Sequence, residues 1–278
     1  YGPAYGYRLA MRRYLRVYKT FFVSSFAREL EFRSNFFAKI IQNTLWVAFF
    51  VLILLVVYSN TDDVAGWGRG DAFVLAATCF LMNAVVSGLF MSLMEIPEAV
   101  RKGTLDYVVA KPIDSQFWVS FRRFNFDQVG TLLAGFGMIV LGALQSGVTP
   151  TVGQWFAYAV LVAASIAIFY SFNLMLMTLA IWLVRVDNLW VLGETLMSVV
   201  RYPMDIYGTG LQRVFTYFVP LAFLATVPSR QLVRPVLGSF GGADWLMVGL
   251  GMLWALAFLS ASRAFWRFAM TRYTSASS

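Results

Sequence analysis

The 278-residue sequence has no histidine, one cysteine and few charged residues, which make up 13% of the chain. With no histidine, one cysteine and no paired acids within an apolar run, the commonest metal and nucleophile arrangements are missing, which disfavours catalysis and a metal site. A single cysteine, Cys79, excludes a disulfide framework. The chain also has no Gly-x-x-x-x-Gly-Lys-Ser/Thr motif, so any ATP hydrolysis must come from a separate subunit.

The shortage of charge goes with an excess of apolar residues. Apolar types make up 59% of the chain and aromatic types 17%, whereas soluble domains carry about 25% charged residues. A water-exposed surface of this size needs more charge, so lipid is the expected solvent. The net charge is +8, and the basic residues lie at the ends of the apolar runs. This placement favours contact with lipid headgroups over nucleic-acid binding.

The apolar runs predict an all-α membrane protein with six transmembrane helices. Long charge-free runs occupy residues 40–58, 72–94, 128–184 and 245–262. The third run is long enough to cross twice, and residues 145–154, with two glycines and a proline, divide it. A shorter apolar stretch, 189–200, barely reaches across about 30 Å of hydrocarbon and is counted as the fifth span.

The distribution of lysine and arginine predicts the orientation. Seventeen of the 22 basic residues fall on the side that holds the amino terminus. The other five are Arg69, Arg201, Arg213, Arg230 and Arg234. By the positive-inside rule, both termini face the cytoplasm, and we expect a multi-pass protein of the cell's inner (plasma) membrane. Its predicted parts are an interfacial region at 1–39, a transmembrane domain at 40–262 and a cytoplasmic tail at 263–278.

The opening region has the spacing of an amphipathic helix. Arg8, Arg12, Arg16 and Lys19 share one helical face, and Met11, Tyr14, Tyr18 and Phe22 share another. Such a helix can lie among the headgroups with its aromatic side in the acyl boundary. The alternative is a solvated helix that leads into the first span.

Small and polar residues within the second and third spans indicate close helix packing. These residues are Asn83, Ser87, Gly88, Gly130, Gly135, Gly137 and Gly142.

The most informative stretch is the predicted cytoplasmic loop 95–114, which reads EIPEAVRKGTLDYVVAKPID. It has a charged, helix-like start, Gly103 as a helix stop, and then an expected extended piece closed by Lys111 and Pro112. A connector could be far shorter. The mixed charges therefore indicate a docking surface for a cytoplasmic protein.

This loop resembles that of type-2 ATP-binding cassette exporter permeases, particularly a bacterial drug-exporter-like subfamily. The similar features are Glu-Pro, then Arg-Lys-Gly-Thr-Leu-Asp, then Lys-Pro-Ile-Asp and Phe, and an Arg-Tyr-Thr-Ser-Ala ending at 272–276. The resemblance implies a coupling helix that docks a separate ATPase, which binds ATP and Mg²⁺, and a second permease subunit, identical or related. The expected docking residues are Glu95, Glu98, Arg101, Lys102 and Asp106. Their alternative role is helix capping and headgroup contact.

Glu194 is the one acid well inside an apolar stretch, and such acids are costly enough to suggest function. It could line the path of a cationic substrate or pair with Arg201. The alternative is an acid that reaches back to the inner interface or bonds a neighbouring helix.

Pro203, Pro220 and Pro228 are expected to break helices at membrane depth. In the resembled permeases this region forms short re-entrant helices that close the pathway externally. The resemblance implies an external gate at 202–228, with Tyr202 and the three prolines as its residues. The alternative is an external loop.

The sequence is therefore interpreted as a non-catalytic permease subunit of an ATP-driven exporter for an amphipathic or hydrophobic substrate, working by alternating access. An ion-driven secondary transporter is the main alternative, although neither an inverted repeat nor several intramembrane charges are evident. A membrane scaffold without transport is the third interpretation.

Overall fold

The computed structural model describes residues 3–183, 189–233 and 240–273, and the side chains of all of these except 3–11, 189 and 190. This part is almost entirely helical. The α-helices are α1 Pro3–Glu31, α2 Arg33–Asn60, α3 Arg69–Leu89, α4 Ile96–Arg101, α5 Asp106–Val109, α6 Ser115–Phe121, α7 Val129–Gln145, α8 Val152–Thr178, α9 Leu189–Val200, α10 Thr209–Tyr217, α11 Thr226–Val233 and α12 Gly242–Arg272. Short 3-10 helices lie at Met91–Glu95, Phe126–Gln128, Leu179–Ile181, Met204–Ile206 and Leu221–Leu224. The strands β1 Asp63–Val64 and β2 Trp67–Gly68 pair antiparallel.

Five helices in the described part, α2, α3, α7, α8 and α12, are long and apolar enough to cross a membrane. This confirms the predicted class, an all-α membrane protein. The described part of the fifth predicted span is α9, whose 12 residues extend about 18 Å, less than the hydrocarbon thickness. The count of six spans therefore stays a prediction. The turn predicted at residues 185–188 lies outside the described residues.

The predicted break between the third and fourth spans is confirmed. Gly147 adopts a positive φ of 68° after α7 ends, a conformation that glycine adopts without a steric penalty. The side chain of Thr151 then accepts a hydrogen bond from the Gln154 backbone, and the Gln154 side chain accepts one from the Thr151 backbone. This capping box begins α8.

The helices α3 and α8 form the centre of the bundle, with α3 packed on α7 and α8 packed on α12. The backbones of α3 and α7 approach each other closely where Gly70 contacts Gly142. A Cβ atom on Gly142 would lie 2.8 Å from the Gly70 carbonyl oxygen, so only glycine fits without movement. The packing role predicted for Gly142 is confirmed, whereas a Cβ on Gly137 would meet nothing within 4 Å.

In contrast, α2 and α12 lie at the edge of the bundle, where their apolar side chains are exposed. Phe37, Ile41, Leu45, Trp46, Phe49, Leu52 and Val56 of α2 and Leu246, Leu253 and Leu256 of α12 are all more than half exposed. These faces suit lipid or a second apolar helix.

The aromatic face of α1 packs on protein, contrary to the expectation that it lies in the acyl boundary. Edge-to-face ring pairs join Tyr14 to Phe117, Tyr18 to Phe121 and Phe124, and Phe22 to Phe126. Arg12, Arg16 and Lys19 on the basic face are exposed as expected. The side chains of Arg8 and Met11 lie outside the described set.

Two predicted boundaries fall within helices. The chain bends at Phe32, between α1 and α2, and position 39 lies inside α2. Similarly, α12 continues to Arg272 without a break at position 263. Residues 263–272 are therefore a helical extension of the last span, packed on the segment described next.

Candidate functional site

The predicted coupling loop is a compact helical segment. As expected, α4 ends at Arg101 and Gly103 follows with a positive φ of 67°. The expectation of an extended piece after Gly103 is wrong, because residues 106–109 form the helical turn α5. The physical reason is burial: Leu105 and Val108 are three residues apart, and a helical turn brings both onto one face.

The inner side of this segment belongs to a hydrophobic cluster separate from the main core. Ile96 and Leu105, with exposures of 1% and 0%, join Leu174 of α8 and Trp266 of α12 in this cluster. Each such buried side chain contributes about 1.5–3 kcal/mol. The segment is thus packed firmly on the ends of two long helices.

A polar contact reinforces that packing. The Asp114 carboxylate accepts a hydrogen bond from the Phe117 backbone at 2.9 Å, which caps α6, and pairs with the guanidinium of Arg263. Arg263 also donates to Gln116 at 2.8 Å, and the Trp266 indole donates to Ser115 at 3.0 Å. Burial alone would raise the pKa of Asp114, but the hydrogen bonds from Arg263 and Phe117 outweigh it and lower that pKa.

Sequence reasoning missed this role of Asp114. An aspartate directly before a short amphipathic stretch is a recognisable helix-capping signal. Its partner Arg263 is 149 positions away, and no local pattern points to that pairing.

The five predicted docking residues separate into two groups. Glu98, Arg101 and Lys102 are exposed on α4 and at its end, whereas Glu95 and Asp106 are half-buried. Glu95 pairs with Arg122 and Arg123. Burial alone would raise the pKa of Glu95, but the hydrogen bonds from the two arginines lower it. Glu95 therefore stabilises the segment through contacts with Arg122 and Arg123.

Two exposed apolar side chains on the same segment were missed. Tyr107 is 72% exposed and Val109 is 52% exposed, and a backbone hydrogen bond of 3.2 Å from Leu105 to Ala99 holds α4 beside α5. Apolar side chains rimmed by charge are typical of protein interfaces. We call Glu98, Arg101, Lys102, Tyr107 and Val109 the docking patch.

Glu194 lines a polar cavity of about 220 Å³ between α2, α3, α7 and α9. Arg201 and the amide side chains of Asn43, Asn83 and Gln128 line it too. Within the described part of the chain, no ion pair of 4 Å or less joins Glu194 to Arg201. The two opposite charges thus share the cavity without neutralising each other by contact.

The position of Arg201 differs from the sequence count, which places it outside. Its guanidinium lies 5.9 Å from the ring centres of Phe50 and Phe80, which stand near the middles of α2 and α3. Its Nε atom is buried, and none of the described residues forms a hydrogen bond with it. A cation–π environment and a shared cavity with Glu194 make this depth tolerable for a guanidinium.

The predicted gate segment, 202–228, consists of short helices, as expected. Tyr202 is exposed, whereas all three prolines are buried. Pro203 and Pro220 directly precede 3-10 helices. The expectation that Pro228 breaks a helix is wrong, because it lies in the first turn of α11. The backbone nitrogens of a first turn have no intrahelical partner, so proline costs little there.

Asp205 organises the gate segment, and sequence reasoning missed it. Its carboxylate accepts hydrogen bonds from the Trp67 indole at 2.8 Å and the Gln212 amide at 3.1 Å, and it pairs with Arg230. The hairpin after α2 and the gate segment therefore meet at one end of the bundle. The docking patch is at the other end.

Five long apolar helices, with a charged segment packed on two of them, identify a multi-pass membrane protein. The family model described as ABC-2 family transporter protein matches residues 44–277. The chain therefore belongs to this family and is a permease of an ATP-binding cassette transporter. Permeases of this family are normally non-catalytic subunits that work with ATP-binding cassette ATPases. A search of curated proteins found no match.

Proposed function

We propose that this chain is the permease subunit of an exporter that carries an amphipathic or hydrophobic substrate out of the bacterial cytoplasm. A separate ATPase, which binds ATP and Mg²⁺, docks on the docking patch, and a second permease, identical or related, completes the pathway. The observation that carries the proposal is the hydrophobic cluster that ties the coupling segment to α8 and α12 while the docking patch stays exposed.

This packing supports the transmission of movement from the docked ATPase to the transmembrane helices. Because Ile96 and Leu105 are fully buried against Leu174 and Trp266, a displaced segment moves α8 and α12 with it, as packed cores are not continuously deformable. Ser165 of α8 donates a hydrogen bond to the Phe223 carbonyl at 2.6 Å, within the gate segment. Closure of the docked ATPases would thus shift the gate through α8.

The polar cavity is the proposed point of contact with the substrate. Trp46 lines it together with Glu194, and an aromatic face beside a carboxylate favours a cationic amphipathic molecule. Asn43 and Trp46 also line the open groove on the outer face of α2, which supports entry from the side of a second permease or from lipid.

The docking role is tested by reversing a charge on the patch. We expect Arg101→Glu to reduce co-purification of the ATPase and substrate-stimulated ATP hydrolysis about tenfold, since one unfavourable charge contact costs roughly 1.4 kcal/mol or more. Arg12→Glu, an exposed position on α1, makes the same charge change away from the patch and is the control. Unaltered assembly and hydrolysis in Arg101→Glu would refute the docking role.

The substrate role of Glu194 is tested separately. We expect Glu194→Gln to keep ATPase assembly but lose most export of a cationic dye from proteoliposomes, because the amide removes the charge that attracts the cation. Glu31→Gln, an exposed acid at the end of α1, is the control. Full dye export by Glu194→Gln would remove this residue from the pathway.

A further inference from the structure

A second cavity, of about 280 Å³, lies at the end of the bundle opposite the docking patch. It is enclosed by α10, α11 and the beginning of α12. Arg213, Arg230, Gln212 and Gln231 supply polar atoms, and Met204 and Met247 supply an apolar wall. The proposed export cycle assigns no role to this cavity.

Gln231 is the unusual member of the lining. Its side chain is 0% exposed, and no described residue provides a hydrogen-bond partner for its Nε2 or Oε1 atom. Leaving a buried polar group unpaired destabilises the folded chain. Such a cost is explained if the amide has a partner in a bound state, since buried polar groups are nearly always paired.

The charge of the lining indicates the sign of that partner. Among the described residues, two arginines line the cavity and no acidic side chain does. The charge of Arg230 is partly balanced by Asp205, which contacts it from outside the cavity. Arg213 takes part in none of the ion pairs found among the described residues. The guanidinium of arginine presents several donors in a plane that matches carboxylate and phosphate oxygens.

We infer that this cavity binds a phosphate group. The phosphate lies between Arg213 and Arg230, and the Gln231 amide nitrogen donates to it. Where a phospholipid supplies the phosphate, its apolar portion lies along Met204 and Met247. The shared chemistry is a phosphate, whose source is either an anionic phospholipid or free inorganic phosphate. This inference does not depend on the substrate or direction of transport.

The test uses the full chain in nanodiscs that contain phosphatidylcholine and a minor fraction of phosphatidylglycerol. Native mass spectrometry measures how much phosphatidylglycerol stays bound. We expect enrichment on the unmodified chain and about a fivefold loss in Arg213→Gln, which corresponds to roughly 1 kcal/mol. The matched control is Arg69→Gln, an exposed arginine at the start of α3, and we expect it to retain the lipid. Equal losses in the two variants would overturn the inference, because they would reflect surface charge alone.

Gln231→Leu separates binding from folding. Because it removes an unpaired buried amide, we expect the lipid-free variant to be at least as stable to heat as the unmodified chain, yet to lose phosphatidylglycerol enrichment. A destabilised Gln231→Leu chain that still enriches the lipid would overturn the inference. A parallel titration with inorganic phosphate distinguishes the sources: a thermal shift that Arg213→Gln abolishes, without lipid enrichment, assigns the site to free phosphate. Absence of both signals contradicts the inference.

Discussion

At the scale of single residues, Asp114 connects local and distant structure. One carboxylate caps α6 through Phe117 and pairs with Arg263 of the last helix. The contact joins the coupling segment to α12 at one point. Its strength depends on ionisation, since only the charged form accepts both interactions.

We expect Asp114→Asn to lower the free energy of unfolding at pH 7 by about 1 kcal/mol, a charged hydrogen bond discounted for partial exposure to solvent. The pKa of Asp114 is lowered in the folded chain, so its contribution is present above the ordinary aspartate pKa and is lost as pH falls through the folded value. The unfolding temperatures of the detergent-solubilised chain and of Asp114→Asn should therefore begin to converge only below the ordinary aspartate pKa of about 3.9, and should coincide once the pH is below the lowered pKa of the folded chain.

The control for this measurement is Glu98→Gln, which removes an exposed ion pair with Lys102 and should leave the unfolding temperature unchanged. An Asp114→Asn chain as stable as the unmodified one at pH 7 would show that the Arg263 contact adds no stability.

At the scale of helices, the contact between α3 and α7 depends on the absence of side chains. A Cβ atom on Gly142 would lie 2.8 Å from both the Gly70 oxygen and the Val74 Cγ2 atom. One of these contacts is with backbone, which cannot rotate away. The two helices therefore approach more closely than any larger residue allows.

We expect Gly142→Ala to destabilise the chain by about 1–3 kcal/mol, the usual cost of overpacking. Gly137→Ala is the matched control on the same helix, because its Cβ would meet nothing within 4 Å, and alanine is the better helix former. Thermal unfolding in detergent measures both. Equal unfolding temperatures for the two variants would contradict a tight crossing at Gly142.

At the scale of the whole molecule, two clusters of polar contacts lie at opposite ends of the helix bundle. Tyr14, Asp114 and Arg263 meet at one end, and Trp67, Asp205 and Arg230 meet at the other. The proposed mechanism requires the first end to face the cytoplasm, where ATP is available. The basic residues favour that orientation.

We expect a membrane-impermeant amine reagent to label Lys102 and Lys111, both exposed, only after the cells are opened. Mass spectrometry of the purified chain provides the readout. As a control, a cysteine introduced at Asp62, in the exposed turn after α2, should react with an impermeant thiol reagent from outside. Labelling of either lysine in intact cells would contradict both the orientation and the docking of a cytoplasmic ATPase.

The rival class of transporter is distinguished by its energy source. A permease of an ATP-driven exporter stops when ATP is depleted. Transport that continues without ATP and collapses with the ion gradient would instead favour an ion-driven carrier.

The sequence alone indicated that lipid surrounds the chain and where its long helices lie, because apolar runs and basic flanks are local features. The family resemblance came from local motifs too. The sequence also located the charged segment 95–114 and the stop at Gly103. The buried partners of that segment were decided only by the tertiary structure. The turn at α5 forms because Leu105 and Val108 face Leu174 and Trp266 in one cluster, and local propensity gave no sign of it.

The same division holds for charged residues. The sequence placed Glu194 within reach of Arg201, but only the tertiary structure brings Asn43, Asn83 and Gln128 to the same cavity. Likewise, Glu95 was expected to face a partner but pairs with Arg122 and Arg123. Whether a charge faces solvent, a cavity or another charge depends on contacts between residues far apart in the chain, and a pattern read along the chain does not contain them.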